Sequence, residues 1–130
     1  MTQEQTDQTL QNTQQNMRVK IMIEIVVTLI VGILCIAMGI SNMKGNISTL
    51  HSYHRNRVSE EDRIPFGRKV GLGTVIIGTS ISVFSAFAAV TLHTDNQLYI
   101  KIGYAVLTAG MLPGILITLL AIKKYNKSIF

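Results

Sequence analysis

The 130-residue chain is 48% hydrophobic and only 15% charged, and its 12 Lys and Arg outnumber its 7 Asp and Glu to give a net charge of +5. A soluble protein of this size carries about 25% charged residues. The few charges are clustered, and they leave three stretches almost free of charge at residues 21–40, 70–92 and 98–122. Each has the length of about 20 residues that a helix needs to cross a bilayer. The composition excludes a soluble enzyme domain and a disordered chain, and it predicts an all-α integral membrane bundle of three transmembrane helices.

The N-terminal segment at residues 1–17 is rich in Gln, Thr and Asn and has one aliphatic residue, Leu10, before Met17. Such a segment cannot bury enough apolar surface to offset the entropy of ordering it. We therefore expect a flexible polar tail, with an interaction arm as the alternative, followed by a membrane domain at residues 18–130. The single cysteine, Cys35, lies inside the first span, where one thiol forms no intrachain disulfide and is expected to be a packing residue.

The first span is expected to remain in the mature protein. Arg18 and Lys20 precede it as basic residues precede a signal peptide, but the apolar run of about 20 residues is longer than the 7–15 typical of a signal. Asn42 and Gly45 mark the predicted end of this helix.

Two connections of very different length and charge join the spans. The connection at residues 41–69 is long and basic, and its Ser59-Glu-Glu-Asp62 sequence predicts a tight turn that leads into the second helix near Pro65. The connection at residues 93–97 is short, so the second and third helices are predicted to form an antiparallel hairpin.

The distribution of Lys and Arg over the connections predicts the orientation in the membrane. Both the long connection and the C-terminal tail are basic, whereas the short connection has no Lys or Arg. Basic loops stay in the cytoplasm, so we place both there and the N-terminus and short hairpin outside, although Arg18 and Lys20 argue weakly against it. The basic residues on the two cytoplasmic segments are Lys44, Arg55, Arg57, Arg63, Arg68, Lys69, Lys123, Lys124 and Lys127.

Within the long connection, residues 47–58 have the pattern of an amphipathic helix. Ile47, Leu50, His51, His54 and Val58 fall on one helical face, and Arg55 and Arg57 project away from it. The pattern predicts a short helix on the inner membrane surface with its basic side toward anionic head groups. The candidate lipid- or partner-binding residues are His51, His54, Arg55, Arg57, Arg63, Arg68 and Lys69.

A metal site is the alternative to the surface helix as an explanation of the two histidines of this connection. His51 and His54 would share a helical face, but two ligands do not make a closed metal site. We therefore expect no metal site. We also expect no cofactor, no catalytic residue and no nucleic-acid partner.

Small residues recur along the second and third spans. Thr74, Gly78, Ser82 and Ala86 are four residues apart, a pattern that lets membrane helices approach closely. The sequence predicts that this stripe packs against small residues of the third helix, namely Ala105, Ala109, Gly110 and Gly114.

Glu24 is the one carboxylate inside a predicted span, and Pro113 lies in the middle of the third. Ionisable residues inside a membrane are candidate functional groups because burying them is costly. An ion pair of Glu24 with Lys20 or Lys101 is the expected explanation. Transport through a path lined by Glu24, Ser82 and a kink at Pro113 is the alternative.

Residues 47–78 are similar as a unit to a family of small multi-spanning membrane proteins of Gram-positive bacteria. In that family a His-Ser-Tyr-His segment follows the first span, and a basic residue, a Val, an acidic turn, an aromatic-Gly pair and a Gly-rich second span come after it. The corresponding positions here are residues 51–54, Arg57, Val58, residues 60–62, Phe66-Gly67, Gly71 and Gly73. The resemblance implies a bacterial plasma membrane and a bundle of few helices, and it carries over no catalytic residue.

Three classes of function are compatible with these features. The leading expectation is a non-enzymatic membrane protein that binds a membrane partner or the lipid surface, for example an immunity or regulatory factor. The second is a small transporter or channel that works as an oligomer, and the third is a membrane enzyme that uses His51 and His54.

Overall fold

The computed structural model of the chain describes residues 2–48 and 58–126. In these residues the structure is helical without strands, and it consists of α1 (Gln3–Met43), α2 (Arg63–Thr94) and α3 (Gln97–Asn126). All three helices are long and apolar enough to cross a membrane. The predicted all-α bundle of three spanning helices is confirmed.

The N-terminal segment differs from the flexible tail that its composition predicted, because α1 begins at Gln3 and continues without a break into the first span. Thr2 and Gln5 form a capping box, in which the Gln5 backbone N–H donates to Thr2 Oγ1 at 3.4 Å and the Thr2 N–H donates to Gln5 Oε1 at 3.2 Å. Further along, the Thr9 and Thr13 hydroxyls donate to the carbonyl oxygens four residues earlier.

The physical reason for this difference is helix propagation. Residues 3–20 are exposed, so burial does not stabilise them. The costly step in helix formation is nucleation, and the membrane span supplies a nucleus to which each further residue adds one hydrogen bond. With 41 residues, α1 is about 60 Å long, about twice the thickness of a hydrocarbon core.

The turn after α1 ends the helix where the sequence predicted. Gly45 adopts a left-handed conformation with φ of 86°, and its N–H donates to the Asn42 carbonyl at 2.9 Å. A glycine suits this position because a side chain would be strained there. The Arg63 side chain at the start of α2 donates from Nε to the Gly45 carbonyl at 3.2 Å, so the guanidinium joins the two helix ends.

The acidic turn before α2 has the predicted form. The Ser59 hydroxyl donates to Asp62 Oδ2 at 3.0 Å, and the Asp62 N–H donates to Ser59 Oγ at 3.3 Å. The helix begins at Arg63, which places Pro65 in its first turn, where a missing N–H has no cost.

The short connection between α2 and α3 forms the predicted antiparallel hairpin. Asp95 ends α2 in a left-handed conformation, and Asn96 Oδ1 accepts a hydrogen bond from the Leu98 N–H at 3.0 Å. Arg18 of α1 reaches this turn and donates from Nη2 to both carboxylate oxygens of Asp95 at 3.1 Å. The pair therefore marks the level at which α1 passes the hairpin.

The three helices form a layer with α2 in the middle. Both α1 and α3 pack along α2, and among the described residues they make at most marginal contact with each other. Each spanning segment keeps most of its surface exposed, because the lipid is expected to cover what a soluble protein would bury.

Four glycines bring α1 and α2 together. A Cβ on Gly39 would lie 2.7 Å from the Gly71 carbonyl oxygen, and a Cβ on Gly78 would lie 2.7 Å from that of Gly32. The two pairs are seven residues apart on both helices, and Ser82 lies beside Gly32 at the same interface. Close backbone contact of this kind is how small residues stabilise membrane helix pairs.

A second set of small residues joins α2 to α3. A Cβ on Gly114 would lie 2.9 Å from the Gly73 carbonyl oxygen, and one on Gly110 would lie 2.7 Å from Ser80 Cβ. The close packing predicted for Gly78, Gly110 and Gly114 is thus present.

The predicted pairing of the stripe, however, was wrong. Gly78 and Ser82 contact α1 instead of α3, because α2 presents different faces to its two neighbours. Ala86, Ala105 and Ala109 are exposed, and Thr74 is half-buried. A four-residue spacing identifies small residues on one face but not the helix that this face meets.

The apolar core lies at one end of the layer, where the long connection meets the helices. Ile47, Phe66, Val70 and Ala121 are at most 2% exposed and pack together, with Val58 and Tyr125 against them. The predicted surface helix at 47–58 is therefore wrong at its first residue, since Ile47 is non-helical and inserted in the core. The remainder of that segment, residues 49–57, lies outside the described residues.

Candidate functional site

Basic residues from two distant parts of the sequence meet at this same end. The first two turns of α2 carry Arg68 and Lys69, and the last turn of α3 carries Lys123 and Lys124. The helices are antiparallel neighbours, so the start of α2 lies beside the end of α3. There the rings of Phe66 and Tyr125 pack edge to face, with their centroids 5.8 Å apart. The predicted spans end next to these lysines, so we expect the lysines to lie at the level of the lipid head groups.

Tyr125 organises the charges at this end. Its ring centroid lies 5.4 Å from Lys124 Nζ and 6.0 Å from Lys69 Nζ. An ammonium group near an aromatic face is attracted by about 0.5–1 kcal/mol at exposed sites. The ring therefore attracts an ammonium group of α2 and one of α3 to the same patch.

An open groove of about 670 Å³ lies beside this patch. Leu72 of α2 and the α3 residues Ile117 and Leu120 form its apolar part, and Ala121 lies at its base. Lys69, Lys123 and Lys124 line the same groove at its outer end. The volume is within the range of about 300–1,000 Å³ that ligand sites have. An apolar groove with cations at one end can hold an amphipathic anion.

The candidate lipid- or partner-binding residues are only partly described. Lys69 lies on the groove, and Arg68 is exposed beside it. Arg63 is instead half-buried, because its guanidinium donates to the Gly45 carbonyl and lies 3.9 Å from Glu60 Oε2. The other four predicted residues, His51, His54, Arg55 and Arg57, lie outside the described residues.

Lys123 and Lys124 line the groove with Lys69, but in the sequence they indicated only the orientation in the membrane. The signal that could have found them is their position at the end of an apolar span, opposite Lys69 at the start of its antiparallel neighbour.

Glu24 lines a separate groove of about 350 Å³ near the hairpin end. All three helices contribute to this groove, with Thr28 beside Glu24 on α1, Ser85 on α2 and Tyr104 on α3. Ser85 is only 2% exposed, and its hydroxyl donates to the Ile81 carbonyl. The groove thus brings a carboxylate and hydroxyl groups together on a largely apolar surface.

The expected ion pair of Glu24 is wrong in the described part of the chain. The ion pairs there are Arg18–Asp95 and Arg63–Glu60, and neither Lys20 nor Lys101 joins Glu24. On a helix, a Lys four residues before a Glu is the less favourable order for pairing. Lys101 is exposed and does not line the groove, to which α3 contributes Ile100 and Tyr104.

The structure does not bring Glu24, Ser82 and Pro113 to one path. Glu24 is about 9 Å along α1 from Arg18, which marks the level of the hairpin, whereas Pro113 is about 24 Å along α3 from Gln97. Pro113 is exposed, and Ser82 packs against Gly32 between α1 and α2. Glu24 thus lies at a different depth from Pro113, and Ser82 and Pro113 lie on different surfaces of the layer.

In residues 2–48 and 58–126, no three side chains of His, Cys, Asp or Glu come together as metal ligands. His51 and His54 are not among those residues, so the absence of a metal stays a prediction.

The fold defines the class of this protein, an all-helical chain with three candidate membrane-spanning helices. The chain matches no protein-family model, no curated protein and no solved structure at a significant level. The similarity to small membrane proteins of Gram-positive bacteria stays a prediction.

Proposed function

We propose that the protein is a non-enzymatic protein of a bacterial plasma membrane that acts by binding a membrane component at its basic end, as an immunity or regulatory factor does. The observation that carries the proposal is the meeting of Lys69 with Lys123 and Lys124 beside an apolar groove. These charges lie where a membrane component presents its head group or its interfacial segment.

The orientation in the membrane is part of this proposal. The basic connection and the basic end of α3 lie in the cytoplasm, and the N-terminus and hairpin lie outside, because Lys and Arg are retained on the cytoplasmic side. A cytoplasm-specific reporter fused after Phe130 is expected to be active and an export-specific one silent. The reverse pattern would contradict the orientation.

The binding of a component at the basic end can be tested by cross-linking in cells. A photoreactive amino acid at Arg68, which is exposed, is expected to give a defined adduct with a protein or a lipid. The same amino acid at His93, which is exposed at the opposite end, serves as the matched control. Equal adducts from both positions, or none from Arg68, would contradict the proposal. A neighbouring toxin gene would support an immunity role in particular.

The groove at Glu24 supports a second candidate, an oligomeric small transporter or channel that uses this carboxylate. Pro113, the predicted site of a kink in such a path, lies elsewhere on α3, so only the groove favours this function. An intramembrane carboxylate is a typical element of an ion pathway.

Glu24→Gln separates the two candidates, because it removes the charge and keeps the shape and hydrogen bonding. If the protein acts through its basic end, the variant is expected to complement the phenotype that deletion of the gene produces. Tyr104→Phe, which removes a hydroxyl from the same groove, is the companion variant and is expected to behave alike. Loss of complementation at unchanged protein level would instead favour transport.

A further inference from the structure

We propose that the groove between α2 and α3 is a binding site for one anionic phospholipid of the cytoplasmic leaflet. An acyl chain lies along Leu72, Ile117 and Leu120, and the phosphate lies against Lys69, Lys123 and Lys124. This proposal rests on the proposed function and names the chemical class of the component that the basic end binds.

The arrangement of the lining residues along the helices fits this ligand. On α3, Ile117, Leu120 and Lys124 follow one another at three and four residues, which places them on one face of a helix. The apolar part of the groove extends about 10 Å along the axis before the cationic part begins. Apolar tail and charged head would thus meet the parts of the groove that match them.

The charges make the site selective for an anion. Three lysines line the outer end of the groove, and none of the lining residues in the described part of the chain is a carboxylate. Basic pockets between membrane helices on the cytoplasmic side are typical sites for anionic head groups. A zwitterionic head group would bring its own cation toward these ammonium groups, and it would bind more weakly.

Tyr125 contributes to the preorganisation of the cationic part of the groove. Lys69 Nζ and Lys124 Nζ lie within 6.0 Å of the ring centroid, so the attraction of the ring favours side-chain conformations that keep these two cations at the groove. Ordering side chains in advance lowers the entropic cost of binding.

The test is native mass spectrometry of the full chain released from nanodiscs that contain equal amounts of phosphatidylglycerol and phosphatidylcholine with identical acyl chains. The wild-type protein is expected to retain one phosphatidylglycerol in preference. Replacing Lys69, Lys123 and Lys124 with Gln is expected to reduce that preference by about two orders of magnitude.

The matched control replaces Lys20, Lys44 and Lys101 with Gln, which removes the same net charge from exposed lysines that do not line the groove. This variant is expected to retain the preference of the wild type.

Leu120→Trp tests the acyl part, since the larger side chain fills the groove and is expected to expel the lipid with all lysines present. Inorganic phosphate, which has no acyl chain, is expected not to displace the lipid.

Equal retention of both lipids by the wild type, or an equal loss in the control variant, would overturn the proposal. Displacement of the lipid by inorganic phosphate would also overturn it, because the lysines alone would then form an anion site. A protein adduct at Arg68 combined with no lipid preference would leave the proposed function in place and assign the groove to a protein partner. Failure of both experiments would remove the proposed function itself.

Discussion

We expect Phe66→Ala to lower the free energy of unfolding by about 3–5 kcal/mol, the range for removing a buried aromatic side chain. Phe66 is completely buried, and its ring contacts Tyr125 while its neighbours in the core are Ile47 and Val70. The substitution would leave a cavity at the point where the long connection, α2 and α3 meet. Reversible unfolding in detergent micelles, followed by circular dichroism, measures the change.

Leu112→Ala is the control for this experiment. Leu112 is 66% exposed on α3 and is expected to face lipid or detergent, so its loss should change the stability by about 0.5 kcal/mol or less. Equal effects of the two substitutions would show that the apolar cluster does not hold the connection to the helices.

The second large effect is expected at the contact between α1 and α2. Gly78→Leu should lower the stability by about 1–3 kcal/mol, as overpacking of a tight interface does. A Cβ at this position would already lie 2.8 Å from the Ile36 backbone nitrogen and 2.9 Å from Cys35 Cβ. No rotation of the new side chain relieves a contact of the Cβ itself, so α1 must move away. Unfolding in the same micelles reports the loss.

Thr79→Leu adds a similar side chain at the next residue and serves as the matched control. Thr79 is exposed, and a leucine there can point into lipid without meeting α1. We expect it to be nearly neutral. A comparable loss in both variants would mean that leucine itself, and not the tight contact, destabilises α2.

The hydropathy of the sequence was sufficient to predict the three spans, because a bilayer imposes one requirement on every crossing segment. The end of α1 and the start of α2 were also readable from local chemistry, whereas the start of α1 at Gln3 was not. Gly45 supplies the left-handed turn after α1, and Ser59 with Asp62 forms the turn before α2. Both signals act over a few residues.

What the sequence did not predict depends on contacts between distant residues. The four-residue spacing of small residues located Gly78 on an interface, but its partner is Gly32 of α1, which lies seven residues before Gly39. Ile47 has the same position in an amphipathic pattern whether it faces lipid or enters a core. The groove required Lys69 and Lys124 to be placed side by side, and only the antiparallel hairpin does this.

The central position of α2 has a mechanical consequence. The two outer helices hardly touch, so a displacement at one of them reaches the other through the shared helix. A ligand that draws Lys69 toward the end of α3 would displace α2. The opposite side of α2 packs against Gly32 and Gly39 of α1. Occupancy of the groove would in this way be transmitted by α2 to α1, whose helix continues about 22 Å beyond Arg18 at the hairpin end.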